Sequence, residues 1–184
     1  MKWSRRSESS KLQFVKALTE QERYERFAEL FTELSQFSEM CGFGDPMSYA
    51  RGREIQMAGA LGHRISDTLS GADGIRPDGL LVEYKSTVGK HINGAYNGIS
   101  VQGTWAEQLT YLKNEKIAKY PFHYFARFLD GEIVEMWEMP GNVVLRLLLP
   151  KLEKKYNRVR KLKDPRLGAT ITKAEINKYG TRLK

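Results

Sequence analysis

Apolar residues recur at helical spacing in the first part of the chain. Thr19 and Glu22 precede this pattern with the spacing of a capping box, in which the two residues satisfy each other's backbone N–H groups. The pattern predicts a helix from Thr19 to about Met40, ended by the turn-rich segment CGFGDP. Its apolar stripe comprises Phe27, Leu30, Phe31, Leu34 and Phe37.

A second helical pattern predicts a helix from about Ser48 to Ile65. Ala58, Leu61 and Ile65 lie on its apolar stripe, and Glu54 falls on the same stripe. An apolar stripe is expected to face a core, so a carboxylate there is unusual. Glu54 is therefore either a functional acid or a stripe-edge residue whose head reaches water.

The middle of the chain alternates between extended and helical patterns. GADGIR and LLVEYKSTV read as strands joined by PDG, and HYFARF and EIVEMWEM read as a second hairpin joined by LDG. Between them lie a predicted loop from Gly89 to Gly103, with ISVQ as a short strand, and a helix over TWAEQLTYLKNEKIA. Helices that flank hairpin strands predict an α/β (α+β) fold with a central mixed β-sheet.

The C-terminal part is basic and largely helical in pattern. The segment NVVLRLLLPKLEKKYNRVRKLK predicts a helix interrupted near Pro150, and Thr172 and Glu175 repeat the capping-box spacing. A length of 184 residues fits one domain. We therefore expect a single domain over 1–184 with a basic C-terminal helical segment at about 142–184.

Composition narrows the classes of function. Lys and Arg outnumber Asp and Glu by 30 to 22, a net charge of +8, which favours a polyanionic partner. Cys41 is the one cysteine, so a disulfide framework and a cysteine-rich zinc site are excluded, and His63, His91 and His123 lack metalloprotease spacing. The sequence has neither an apolar membrane span nor the apolar core of a signal peptide. We therefore expect a reducing, cytoplasmic setting and no membrane partner.

The first hairpin gathers candidate catalytic residues. If Pro77–Gly79 form a three-residue loop, Asp73 lies opposite Glu83, and Glu83 and Lys85 share its face because strand side chains alternate. A two-residue loop of Asp78 and Gly79 would instead turn Asp73 to the other face. The first register predicts a cluster of Asp73, Glu83 and Lys85.

Two carboxylates this close repel each other unless a cation lies between them. Mg²⁺ takes oxygen ligands and keeps several waters, so Asp73, Glu83 and the backbone carbonyl of Tyr84 are candidate ligands, with Mn²⁺ as an expected substitute. Lys85 is placed to act on a water or on charge developing at a phosphate, and Glu54 to reach the metal's waters. Alternatively, these residues have no catalytic role and form a solvated strand face with an ion pair.

The segment GAD…EYK resembles the motif of the PD-(D/E)xK nuclease superfamily, over Arg51 to about Met139. The resemblance implies a restriction-endonuclease-like mixed sheet, Mg²⁺ and hydrolysis of DNA. Asp73, Glu83 and Lys85 would match the motif, and Glu54 the acid often found on the preceding helix. A literal reading of PD selects Asp78 instead, which leaves four residues before Glu83 and places the acid in a turn.

Two further segments carry residues that suit DNA contacts. The loop Gly89–Gly103 supplies Lys90, His91, Asn93, Tyr96, Asn97 and Gln102. The basic segment supplies Lys154, Lys155, Arg158 and Lys161. The alternative interpretation of the first segment is a polar loop. That of the second segment is a solvated helix face.

The sequence thus favours a Mg²⁺-dependent DNA endonuclease, most like a type II restriction enzyme. Cutting both strands needs two active sites, which implies a homodimer or a pairing with another subunit. The alternatives are a repair or recombination nuclease of the same fold, which would recognise DNA structure, and a DNA-binding protein without catalysis.

Overall fold

A computed structural model describes residues 7–68 and 71–184 of the chain. The chain divides into two compact units, Met1–Pro46 and Met47–Lys184. The predicted catalytic, metal-binding and DNA-binding residues all belong to the second unit. The first six residues, part of the segment searched for a signal peptide, lie outside the described ones.

The first unit contains two helices, α1 (Glu8–Ala17) and α2 (Glu20–Met40). The predicted capping box at the start of α2 is confirmed, because the Thr19 side chain accepts the Glu22 N–H and the Glu22 carboxylate accepts the Thr19 N–H. The predicted apolar stripe of α2 is exposed along its length. Helical spacing therefore located this helix correctly but did not indicate a buried face.

The second unit contains four further helices and eight strands within the described residues. The helices are α3 (Arg51–Leu61), α4 (Trp105–Tyr111), α5 (Gly141–Val159) and α6 (Lys173–Tyr179). The strands are β1 (Arg64–Ile65), β2 (Gly74–Ile75), β3 (Leu81–Thr87), β4 (Gly94–Ser100), β5 (Phe122–Leu129), β6 (Glu132–Pro140), β7 (Arg166–Ile171) and β8 (Thr181–Arg182). A π-helical turn, Leu112–Lys116, extends α4.

The main sheet has the strand order β1-β2-β3-β5-β6-β8 among the described residues. Strands β3 and β5 are parallel, whereas the other neighbours are antiparallel, so the sheet is mixed. Helices α3, α5 and α6 pack against its strands. The predicted fold class, α/β with a mixed sheet flanked by helices, is confirmed.

Both predicted hairpins are present. Strands β5 and β6 pair from Phe122 with Pro140 to Leu129 with Glu132, and Asp130 and Gly131 form the turn with positive φ angles of 49° and 81°. Positive φ at both central residues is what an Asp-Gly hairpin turn provides.

The predicted helix from Ser48 to Ile65 is shorter in the structure. It ends at Leu61 because Gly62 takes a left-handed conformation, with φ of 68°, and caps the helix. Glycine reaches this conformation without the steric cost that other residues meet. Ile65 consequently lies in strand β1 and not on a helix stripe.

The predicted loop Gly89–Gly103 is wrong over residues 94–98, which belong to strand β4, whereas the predicted short strand ISVQ is confirmed at Ile99 and Ser100, the end of β4. Strand β4 pairs antiparallel with β7 in a separate two-stranded sheet, with a register shift between Tyr96 and Ile99. The pairing partner lies some 70 positions later in the chain, so local composition could not reveal it. Glycine and asparagine here mark an irregular strand instead of a loop.

The C-terminal prediction is partly wrong. Helix α5 continues through Pro150 without interruption, while β7 divides the segment that was expected to be helical to its end. The buried face of α5 explains its continuity, because packing offsets one lost backbone hydrogen bond. Val144, Leu145, Leu148, Leu152 and Tyr156 form that face.

The core of the second unit lies between α5 and residues of β4, β5 and β7, with Phe125, Leu148 and Ile171 among its fully buried side chains. Among residues 7–68 and 71–184, no helix is both long enough and apolar enough to cross a membrane.

Candidate active site

The register of the first hairpin brings Asp73 to strand β3. Gly74 pairs with Val82 and Ile75 with Leu81, and the Arg76 N–H donates to the Leu80 carbonyl at 2.9 Å. This is the predicted register with a three-residue loop. Beyond the paired residues, the Asp73 N–H donates to the Val82 carbonyl at 3.0 Å, which places Asp73 next to Glu83.

Asp78 lies in the turn and its carboxylate is engaged there. Its Oδ1 accepts the Leu80 N–H at 3.1 Å, and its Oδ2 lies 3.2 Å from Arg76 Nε. The side chain is 49% exposed. An Asp that closes a turn through its own side chain has a sufficient structural reason to be there.

Glu83 and Lys85 alternate along β3, so both side chains lie on one face of the strand. The Lys85 ammonium donates to Glu83 Oε1 in an ion pair whose side chains are only 21% and 13% exposed. Burial alone would lower the pKa of Lys85, but the Glu83 and Asp73 carboxylates outweigh it and raise that pKa. Lys85 is therefore a cation at neutral pH.

Asp73 shares this cluster. Its Oδ2 accepts the Tyr84 N–H at 2.7 Å. Burial, followed by the nearby Glu83 carboxylate, raises the pKa of Asp73 to about 7, although Lys85 and the Tyr84 hydrogen bond act in the opposite direction. The negative charge gathered here exceeds what its protein partners stabilise, as expected for a site that binds a cation.

Glu54 approaches the cluster from α3. Its carboxylate lies 3.9 Å from Arg51 Nη1, and burial raises its pKa, with Lys85 lowering that pKa and Glu83 raising it. Electrostatic coupling to both residues of β3 places Glu54 near the cluster. Arg51, which donates to the Ser66 carbonyl at 2.6 Å, holds α3 against the chain after β1.

A buried platform lies beneath Lys85. The Lys85 ammonium is 5.2 Å from the centre of the Tyr96 ring, and the Tyr96 hydroxyl is 2.8 Å from His123 Nδ1. His123 Nε2 lies 3.0 Å from the Ile117 carbonyl. Because a carbonyl only accepts, Nε2 carries the proton and Nδ1 accepts from Tyr96.

Burial lowers the pKa of His123 to about 4, so the imidazole is neutral at physiological pH. It is also paired with Glu83 in the ladder between β3 and β5. Sequence reasoning did not single out His123 or this use of Tyr96. A histidine in a predicted hairpin strand gave no signal that separates a buried support from an ordinary strand residue.

The predicted magnesium ligands are Asp73, Glu83 and the Tyr84 carbonyl, a set of oxygen donors that suits a hard cation retaining water. This set has two carboxylates. Across the described parts of the chain, no three or more His, Cys, Asp or Glu side chains are grouped around one metal position. A cation held here would depend on the backbone carbonyl, water and substrate for its remaining ligands.

The predicted DNA-binding residues near β4 separate into two groups. Tyr96 is 4% exposed and hydrogen-bonded to His123, so its side chain is not available in this structure for the predicted DNA contact. Lys90, His91 and Asn97 are exposed, whereas Asn93 and Gln102 are half-buried. The Asn93 amide donates to the His91 carbonyl at 3.3 Å, which shapes the turn before β4.

Lys155 of α5 lies close to β4 through strand β7. Lys155 Nζ donates to the Gly168 carbonyl at 2.7 Å, and a side chain added at Gly168 would meet Asn97 Oδ1 at 2.7 Å. Asn97 and Lys155, predicted from separate segments, therefore both lie beside Gly168. Lys154, Lys155, Arg158 and Lys161 are all exposed.

Comparisons with protein-family models and with curated proteins find no match for this chain. The case for its function therefore comes from its own residues and their arrangement.

Proposed function

We propose that this chain is a Mg²⁺-dependent endonuclease that hydrolyses phosphodiester bonds of double-stranded DNA, as a type II restriction enzyme of the PD-(D/E)xK kind. The observation that carries the proposal is the convergence of Asp73, Glu83 and Lys85, in which the pKa of Asp73 is raised to about 7. Burying these acids together lowers the stability of the folded chain, and a bound cation would offset that loss.

Asp73 and Glu83, with the Tyr84 carbonyl, would hold the cation. A bound Mg²⁺ supplies charge stabilisation at the phosphate and makes a coordinated water more acidic. Lys85 stays protonated, because the pKa of its ammonium is raised. It therefore acts as a cationic hydrogen-bond donor to the phosphate or the attacking water, and not as a general base.

The DNA would contact exposed groups of β4 and α5. Tyr96 links β4 to Lys85, while the exposed Asn97 of the same strand lies beside Gly168 and thus near Lys155. An amide suits base edges in the major groove, and lysine and arginine suit phosphates. The arrangement supports one DNA-facing surface formed by β4 and the basic part of α5.

The test is a digest of phage DNA by the purified chain with Mg²⁺ or with EDTA. We expect discrete fragments with Mg²⁺ and intact DNA with EDTA. A smear, or cuts confined to branched DNA, would favour the repair or recombination alternative. DNA that is bound but uncut in Mg²⁺ and in Mn²⁺ would favour the binding protein without catalysis.

A further inference from the structure

Helix α2 carries an exposed apolar face that the proposed chemistry does not use. We name it the α2 stripe, and each of its side chains is between 43% and 70% exposed. Its members are Tyr24, Phe27, Leu30, Phe31, Leu34 and Phe37. At 100° per residue they occupy one side of the helix, while Glu25, Glu29, Thr32 and Gln36 occupy the other.

The area of the α2 stripe is that of a protein interface. With roughly 200 Å² for each fully exposed large side chain, the exposed fractions amount to roughly 640 Å² per copy. Two copies would bury roughly 1,300 Å², inside the range of standard stable interfaces. A monomer rarely exposes a larger apolar patch.

We propose that the α2 stripe pairs with the α2 stripe of a second copy of this chain, in an antiparallel arrangement about a two-fold axis. A two-fold axis lets one apolar face cover itself, so that both copies are satisfied and the assembly closes. The stripe follows a heptad-like spacing, with Phe27, Leu30, Leu34 and Phe37 at the positions that form a helix–helix seam.

The positions of the arginines and the helix dipoles favour one orientation. Both halves of α2 are net acidic, but Arg23 and Arg26 lie in the N-terminal half, beside the acids Glu20, Glu22, Glu25 and Glu29, whereas the charged residues of the C-terminal half are the acids Glu33 and Glu39. A parallel pair would align two acid-only halves. An antiparallel pair places each acid-only half beside the half that carries arginine, and it also aligns the helix dipoles favourably.

The inference rests on the α2 stripe and not on the proposed nuclease chemistry. If both hold, the pairing supplies the two active sites that a double-strand cut needs. The two can fail separately, because association is read from molecular mass and nuclease activity from DNA cleavage.

The experiment compares the full-length chain with two matched double variants by light scattering and sedimentation. Phe31→Glu with Leu34→Glu places two acids on the α2 stripe, whereas Thr32→Glu with Gln36→Glu places two acids on its exposed polar side. We expect the wild-type chain and the polar-side variant to be dimers. We expect the stripe variant to dissociate at least about a hundredfold more readily, as when two central contacts are lost.

Circular dichroism checks that both variants keep their helix content. A monomeric wild-type chain would overturn the proposal, as would a folded stripe variant that stays as dimeric as the polar-side control. Hydrogen exchange that protects α2 in a monomer would assign the stripe to another part of the same chain and also overturn it.

Cys41, the only cysteine in the sequence, tests the orientation, because it is the exposed residue that caps the end of α2. At 1.5 Å per residue the helix is about 30 Å long, so an antiparallel pair holds the two cysteines far beyond disulfide reach. We expect little covalent dimer after mild oxidation. Rapid, quantitative cross-linking that Cys41→Ser abolishes would overturn the antiparallel arrangement.

Discussion

Strand β3 carries a polar cluster on each of its faces, and the two clusters are stabilised differently. On one face, Asp73, Glu83 and Lys85 concentrate acids, and the pKa of Asp73 is raised to about 7. On the other, the Tyr84 hydroxyl is hydrogen-bonded to His63 at 2.9 Å, and Tyr124 donates to Glu138 at 2.6 Å.

The second cluster, which we call the tyrosine face, also contains Arg76. Its guanidinium donates to the Tyr124 hydroxyl at 3.0 Å and lies 3.4 Å from Glu138. Tyr84 packs so closely on Gly74 that a side chain there would lie 2.3 Å from the Tyr84 hydroxyl. On the tyrosine face, the Glu138 carboxylate has hydrogen-bond donors and the side chains are closely packed. These are the features of a structural network.

Burial of polar groups therefore does not by itself indicate function. Both clusters are buried and polar, and both perturb pKa values, since burial also raises the pKa of Tyr84. The two clusters differ in whether their carboxylates have enough hydrogen-bond donors. An acid-rich cluster whose protein partners leave a carboxyl protonated near neutral pH is the better candidate for binding a cation.

The largest expected difference between the two faces concerns cleavage of DNA. We expect Lys85→Ala to lower the cleavage rate by at least about a hundredfold, as when one preorganised donor is removed from a transition state. The matched change on the tyrosine face, Tyr124→Phe, should leave the rate close to that of the wild type and cost about 1 kcal/mol of stability. Single-turnover digests and urea unfolding measure the two effects.

DNA affinity is the control for Lys85→Ala. Because the expected phosphate contacts lie on α5 and just after its end, binding to DNA in Ca²⁺ or EDTA should change little. If a folded Lys85→Ala protein cuts at the wild-type rate, the distinction between the two faces of β3 has no catalytic meaning.

Two acids of the same hairpin, Asp73 and Asp78, are expected to differ in their importance for cleavage. We expect Asp73→Asn to lower Mg²⁺-dependent cleavage by about two orders of magnitude, because a neutral amide is a poor ligand for a hard cation. Asp78→Asn should retain most activity and lose at most about 1 kcal/mol through its exposed pair with Arg76. The opposite result, an inactive Asp78→Asn and an active Asp73→Asn, would favour the literal PD motif.

Much of the hairpin was predictable because its information is local. Pro77 and Gly79 set the turn, and the turn sets the register, so the placement of Asp73 beside Glu83 follows from a short segment. The capping boxes at Thr19 and Thr172 are equally local and are both present.

The features that sequence reasoning missed depend on distant partners. Strand β4 exists through its pairing with β7, and the burial of Tyr96 follows from its contact with His123, which lies 27 positions away. Neither residue type nor spacing indicates such a contact. The end of α3, in contrast, has a local signal, because Gly62 ends the helix. The apolar pattern that continues to Ile65 obscured this signal.

Stability in the absence of metal should depend on pH through Asp73. Its carboxyl is protonated in the folded state and ionised in the unfolded chain between about pH 4 and about pH 7, so the folded state binds more protons there. The free energy of unfolding therefore falls as pH rises through this window and does not recover above it. Asp73→Asn should remove this loss, which is on the order of 4 kcal/mol over the whole window and about 3 kcal/mol between pH 5 and pH 8.

Urea unfolding in EDTA at pH 5 and pH 8 measures this effect, with Asp78→Asn as the control that keeps the wild-type pH dependence. Mg²⁺ should stabilise the wild-type protein more at pH 8 than at pH 5, because it binds the ionised carboxylates. A pH dependence that is the same in Asp73→Asn and the wild type would contradict the raised pKa of Asp73.

The smallest expected effect concerns the platform beneath Lys85. Tyr96→Phe keeps the aromatic ring below the ammonium and removes the hydroxyl that donates to His123, so stability should fall by about 1 kcal/mol and cleavage by less than about tenfold. Tyr96→Leu also removes the ring, which stabilises the charged ammonium by about 1 kcal/mol. In Tyr96→Leu the basic limb of the pH–rate profile should therefore move to lower pH, while in Tyr96→Phe it stays in place. Identical profiles for the two variants would show that Tyr96 supports the fold without positioning Lys85.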